Sequence, residues 1–151
     1  MIGLCEGKRA VKWIKLSNIQ SVESFDYYKV FVTEANGTGA LGETLSTPIV
    51  GAPKVGHTDT FLTVGMFKSE LEATACLKYI KTRFARTLLG TLKATQHNPR
   101  DTWANVPNQD FTNNSDIDWS KPVHEIDKQL YIKYNLSEEE IAFIEKMIKT
   151  M

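Results

Sequence analysis

Between Ser69 and Lys93 apolar residues return at a helical period, and this stretch narrows the folds open to the chain more than any other. At about 100° per residue, Ala73, Cys76, Leu77, Ile80, Phe84 and Leu88 fall on one stripe. Ser69 and Glu72 have the spacing of a capping box, in which each side chain satisfies a free backbone N–H at the start of the helix. Unbroken to Lys93, such a helix is roughly 37 Å long. Gly90 costs about 1 kcal/mol relative to alanine and marks the place for a bend or an early end.

The residues before this helix read as strands. AVKWIKL (10–16) alternates apolar and polar residues, and DYYKVFVTEA (26–35) is rich in β-branched and aromatic side chains. The Gly-, Thr- and Ser-rich run 36–48 is a loop, PIVGAP is a short extended piece, and Thr58–Phe67 reads as a central strand. After the helix, residues 94–122 carry three prolines and a polar run, and are expected to form loop with one short strand near Trp103–Pro107. Val123–Lys133 and a helix opened by the Ser137–Glu140 box complete the chain, the latter with three acids in its first turn and Ile141, Ile144 and Ile148 on its apolar stripe. The expected fold is therefore α+β in a single domain over 1–151. Residues 1–67 are mainly β, a mixed, curved sheet. Residues 68–93 form a long basic helix, 94–122 loop and short strand, and 123–151 a helical tail. At 151 residues the chain is long enough for its own core.

Charge is neutral overall but unevenly spread. Residues 1–67 hold six basic and six acidic residues, 68–100 hold seven basic against Glu70 and Glu72, and 101–151 hold five basic against ten acidic. Residues 68–100 thus carry +5 and residues 101–151 −5, which points to a polyanion facing the helix. On that helix Lys78, Lys81, Arg86 and Lys93 fall away from the apolar stripe.

Several chemistries find no footing. No run approaches the ~20 apolar residues that span a bilayer, and no signal-peptide pattern opens the chain. Met1-Ile-Gly-Leu-Cys reads as the interior of a protein, so an excised domain is expected. Cys5 and Cys76 read as free thiols of a reducing, cytoplasmic setting and belong to no metal-binding cluster. GTGALG (37–42) lacks the spacing of a nucleotide-binding loop. His57, His97 and His124 form no i, i+4 pair. Asp116, Asp118, Glu125 and Asp127 make an acidic group that a Mg²⁺-dependent nuclease would need to converge, although neighbours on a helix diverge by about 100°.

A resemblance joins these features. Thr58 through Phe67, Glu72-Ala73, Tyr79 through Arg86, Lys93-Ala94-Thr95-Gln96 and Val106-Pro107-x-Gln109-Asp110-Phe111 follow one another in order. So do Ile126-Asp127-x-Gln129-Leu130-Tyr131-x-Lys133-Tyr134 and Leu136-Ser137-x-Glu139-Glu140-Ile141. Together they resemble the C-terminal region of bacterial restriction–modification DNA adenine methyltransferases, most specifically over 58–148. In that family this region is similar to the TaqI-like specificity domain and to target-recognition domains of type I specificity subunits. The resemblance implies a DNA target-recognition domain cut from its catalytic partner. S-adenosylmethionine is expected in that absent catalytic domain, no cofactor is expected here, and this chain alone is not expected to methylate DNA. Double-stranded DNA and the catalytic domain of the same parent chain are the implied partners.

On that reading Lys78, Lys81, Arg86 and Lys93 are candidates for phosphate contacts, which position a protein without specifying sequence. Gln96 is a candidate reader of adenine, and Arg83 or Arg100 of guanine. Thr58, Thr60, His97 and the 36–47 loop are further DNA-binding candidates. Tyr79, Trp103 and Trp119 are expected to pack, and Asp110 and Phe111 to meet the catalytic domain. Two other functions stay open: a protein-interaction domain docking its basic helix onto the methylase, and a Mg²⁺-dependent nuclease using Asp116, Asp118 or Glu125.

Overall fold

The computed structural model describes residues 1–20, 22–35, 41, 47–92, 100–104 and 106–151. Among the described residues five short strands precede five α-helices, an α+β arrangement. Strands β1 (Ile2–Cys5) and β2 (Lys8–Val11) form a hairpin paired from Ile2↔Val11 to Cys5↔Lys8. Its two-residue turn has Glu6 at φ 51° and Gly7 at φ 74°, the doubly left-handed geometry that matches strand twist and that glycine adopts at no steric cost. β3 (Tyr28–Thr33), β4 (Ile49–Gly51) and β5 (Phe61–Phe67) form a second sheet in the order β4-β3-β5.

Both sheets are antiparallel rather than mixed, and β3 rather than the 58–67 strand is central. The burial of Lys29 through Val32 explains the place of β3, because only a strand covered on both faces can bury four successive residues. Val30 and Val32 face the helices, packing with Cys76, Ile80 and Leu89, while Phe31 packs with Ile2 and Phe61. Near its end β5 takes an extra residue: Val64 pairs with Val30 but Phe67 with Tyr28, and Gly65 at φ 71° makes the bulge. The 10–16 run is not a strand throughout. After Val11 the chain runs extended to a single 3-10 turn at Leu16–Asn18.

The long basic helix is two helices. α1 (Glu70–Lys81) ends at Thr82, and α2 (Arg83–Leu92) starts at once. Ser69 Oγ accepts the Glu72 N–H at 3.2 Å as expected, but Glu72 reaches back to the N–H of Lys68 rather than of Ser69. Thr82 accepts the Ala85 N–H on its hydroxyl at 3.1 Å, capping α2. Asp127 accepts the N–H groups of Phe84 at 3.0 Å and Arg83 at 3.1 Å, from a position 43 and 44 residues away.

α3 (Arg100–Trp103) is a single turn, and no strand forms near Trp103–Pro107 among the described residues. α4 (Val123–Lys133) and α5 (Glu138–Met147) close the chain, and α5 opens with the complete Ser137–Glu140 capping box. A second core gathers Tyr79, Phe84, Ile117, Ile126, Leu130, Ile144 and Ile148. Gln109, buried, pins the 106–111 segment across it. Its Nε2 donates to Tyr134 Oη at 2.7 Å and its Oε1 accepts from Lys133 Nζ at 3.0 Å. No helix among the described residues is long and apolar enough to cross a membrane.

Candidate nucleic-acid interface

The basic residues of α1 and α2 do not form one open ridge. Lys78 Nζ donates to three carbonyls of the 119–121 turn, Trp119 at 2.8 Å, Ser120 at 3.1 Å and Lys121 at 3.0 Å. Arg83 Nε donates to Ile148 O at 3.1 Å, and its Nη1 stands 3.7 Å from Glu145. Arg86 is 4% exposed; its Nε donates to the carbonyls of Lys81 and Thr82, and its Nη2 to that of Lys149. Burial holds the Arg86 guanidinium below its ordinary range, and Asp127 pulls the other way. These three side chains staple the 119–121 turn and the C-terminal end to the helices. Of these basic residues only Lys81, half-buried, lacks a polar side-chain partner among the described residues. Arg83 and Arg86, which follow the break at Thr82, both meet the chain's own C-terminal end.

Lys93, Gln96 and His97 lie outside the described residues, as do the side chain of Arg100 and all of the 36–47 loop except Leu41 and Thr47. Thr58 and Thr60 share a hydrogen bond between hydroxyls at 2.8 Å. His57 bonds Thr58 O through Nδ1 and Thr63 Oγ1 through Nε2, each at 2.7 Å. The packing expectations hold: Tyr79 is buried and bonds Pro107 O, and Trp119 donates to Asp110 O. Phe111 is turned into the ring cluster of Phe67, Tyr79 and Trp119, leaving Asp110 exposed beside it.

Lys78→Met is expected to cost about 1.5–3 kcal/mol, since it removes a charged donor shared by three carbonyls. A urea titration checks the loss, and limited proteolysis should show the 110–121 loop cut first.

A cationic surface exists elsewhere. Lys8, Arg9, Lys12 and Lys15 lie on the hairpin and the extended segment after it, with no Asp or Glu between positions 7 and 22. All four are exposed. Interleaved with them, Val11, Ile14 and Leu16 are exposed and Trp13 is wholly so, at 101%. The strip sits on the sheet by its first strand, with Ile2 N–H donating to Gly56 O at 2.8 Å and Thr58 N–H to Ile2 O at 2.9 Å. Arg9 lies over the Phe61 ring at 5.4 Å and donates to Thr47 O. The hairpin therefore brings Ile2 against Thr58 and Arg9 over the residue after Thr60, two threonines that the sequence also nominated. Sequence reasoning missed the strip because positions 1–67 balance as a whole. The signal was there in the spacing 8, 9, 12, 15 without an intervening acid.

A cleft of about 1120 Å³ runs between β5, α1 and the 103–112 segment. Glu72 and Asp110 line it and, among the described residues, no lysine or arginine does, so the described lining does not suit a phosphate backbone. Cys76 lies in its wall as a buried thiol pushed up to about 12 by desolvation, far from thiolate chemistry.

The acidic group does not converge. Asp116 pairs with Lys133 at 2.7 Å, and Asp118 accepts from the backbone and hydroxyl of Ser120, which hold its carboxyl below the usual range. Among the described residues no three His, Cys, Asp or Glu side chains gather to hold a metal. No family model matches the chain, and no curated protein or solved structure matches it either.

Proposed function

We propose that this chain is a DNA target-recognition module of a restriction–modification adenine methyltransferase and that it meets the duplex through its N-terminal hairpin. The observation that carries the reading is the acid-free strip of Lys8, Arg9, Lys12 and Lys15 around a fully exposed Trp13. Lysine and arginine side chains left without carboxylate partners favour a polyanion. Four such contacts give a salt slope of about −3.6, hence roughly a hundredfold loss of affinity for a fourfold rise in salt. Thr58 and Thr60 are the proposed contacts to base edges. The S-adenosylmethionine site and the methyl transfer belong to the catalytic part of the parent protein.

The test is duplex binding measured by anisotropy across a salt series. Charge reversal by Lys12→Glu with Lys15→Glu should reduce the slope by about 2 and weaken binding at least tenfold at low salt. Lys78→Met should leave affinity unchanged, because its ammonium is already spent on carbonyls. Unchanged binding by the double variant refutes the reading.

A second reading has its own support. Val11, Trp13, Ile14, Leu16 and Val22 expose more apolar surface than phosphate binding requires, as a protein-docking face would. On that reading Trp13→Ala abolishes co-purification with the methylase catalytic region and the salt series is flat.

A further inference from the structure

A groove opens between α2 and α5, on the helical side of the molecule. Its volume is about 430 Å³, and its walls are Phe84, Thr87, Leu88, Leu136, Phe143 and Ile144, with Glu139 and Glu140 on the rim. Phe143 is 50% exposed there. Among the described residues no lysine or arginine lines it. The arginines of α2 are engaged with the carbonyls of Ile148 and Lys149 and do not neutralise the rim. The first turn of α5 adds a third carboxylate, Glu138. The site is therefore apolar inside and negative outside.

The same chain exposes the complement. Trp13 stands free between Lys12 and Lys15, with Val11, Ile14 and Leu16 also exposed, apolar at its centre and positive at its edges. Within one molecule the hairpin is tied to positions 56–58, and the described residues leave the groove open. We propose that the groove receives the N-terminal strip of a second copy of this chain. The indole of Trp13 enters between Phe143 and Leu88, and Lys12 and Lys15 meet Glu139 and Glu140. A buried indole removes about 150–250 Å² from water, and a groove of this size admits one. The flanking charges set orientation and make the contact salt-sensitive. Strip and groove are different surfaces, so the contact is head-to-tail, and assembly continues beyond a dimer unless it closes into a ring.

This inference goes beyond the DNA reading and does not need it. Sedimentation velocity of the full chain over a concentration series tests it. At low salt the mean mass should rise with concentration, and at high salt it should return to that of a monomer. Trp13→Ala and, separately, Glu139→Lys should each weaken association at least tenfold. Glu139 is exposed and lies outside the Ser137–Glu140 box, so far-ultraviolet circular dichroism of Glu139→Lys should match the parent. Mixing Glu139→Lys chains with Lys12→Glu chains should restore association, since each then offers the other an opposite charge. Glu139→Lys leaves the strip intact, so its affinity for DNA should not change. A chain monomeric at every concentration overturns the proposal, and so does association indifferent to both substitutions.

Discussion

Asp127→Ala is expected to remove about 3–5 kcal/mol of stability, the range seen when one partner of a buried charged network is deleted. Asp127 lies in the first half of α4, buried, and its two oxygens accept the N–H groups of Arg83 and Phe84. These are among the donors that the start of α2 leaves without helical partners. Removing the carboxylate strands both, and strips Arg86 of the Asp127 counter-charge in a site where Arg86 Nη1 and the Tyr131 hydroxyl already lack partners among the described residues. Domains of this size hold about 5–15 kcal/mol in total, so the variant should sit at the edge of folding. Asp127→Asn keeps the shape and one acceptor and should cost about 1–2 kcal/mol. Urea unfolding followed by circular dichroism measures both. A loss under about 1 kcal/mol for the alanine variant would show that Asp127 does not hold α2 in place.

A pH dependence accompanies it. Burial pushes the Asp127 carboxyl up, against the pull of the two N–H groups and of Arg83 and Arg86. The folded state then holds this proton more tightly than the unfolded chain does. The contribution is complete below the unfolded carboxylate range and is lost as pH rises through the raised folded value. In Asp127→Asn that segment of the stability–pH curve should flatten.

Lys29→Met is the second large effect, at about 2–4 kcal/mol. Lys29 is only 2% exposed, yet its ammonium is satisfied: it donates to the carbonyls of Phe25 at 3.2 Å, Tyr27 at 3.0 Å and Ala52 at 3.2 Å. The rings of Phe25 and Phe31 flank it at 5.7 and 6.0 Å. One side chain of the central strand thus ties the turn before β3 to the residue after β4. Burial lowers its pKa from the ordinary lysine value, with Asp26 opposing. Methionine fills much the same space but leaves three carbonyls without a donor, and that orphaning is the cost. Thermal unfolding should show a markedly lower Tm. An unchanged Tm would mean that water replaces the ammonium at no cost.

The local features were legible because they depend on neighbours in sequence. Ser137 and Glu140 sit three residues apart and form their box whatever surrounds them. The stripe of Ala73, Cys76 and Ile80 is a matter of helical period, and all three are buried. β3 declared itself by its β-branched and aromatic run, but its central place did not follow from that. Nor did the burial of a lysine within it, which the residue type argues against.

The break in the long helix shows where local reading stops. Thr82 carries a capping hydroxyl, a signal present in the sequence, yet the apolar stripe runs straight through it. The carboxylate that completes the cap comes from α4, 44 residues later in the case of Arg83. The same distance governs the charges. Lys78 finds carbonyls 41 to 43 residues away, and Arg83 and Arg86 find theirs 65 and 63 residues away.

The starts of α1, α4 and α5, the β-then-α order and the class of fold were thus settled by the sequence, since period, propensity and caps act over a few residues. Which cations are spent inside the molecule and which remain for a partner was decided by the tertiary structure alone. A charge takes whichever opposite dipole the folded chain brings within about 3 Å, and composition does not record that distance.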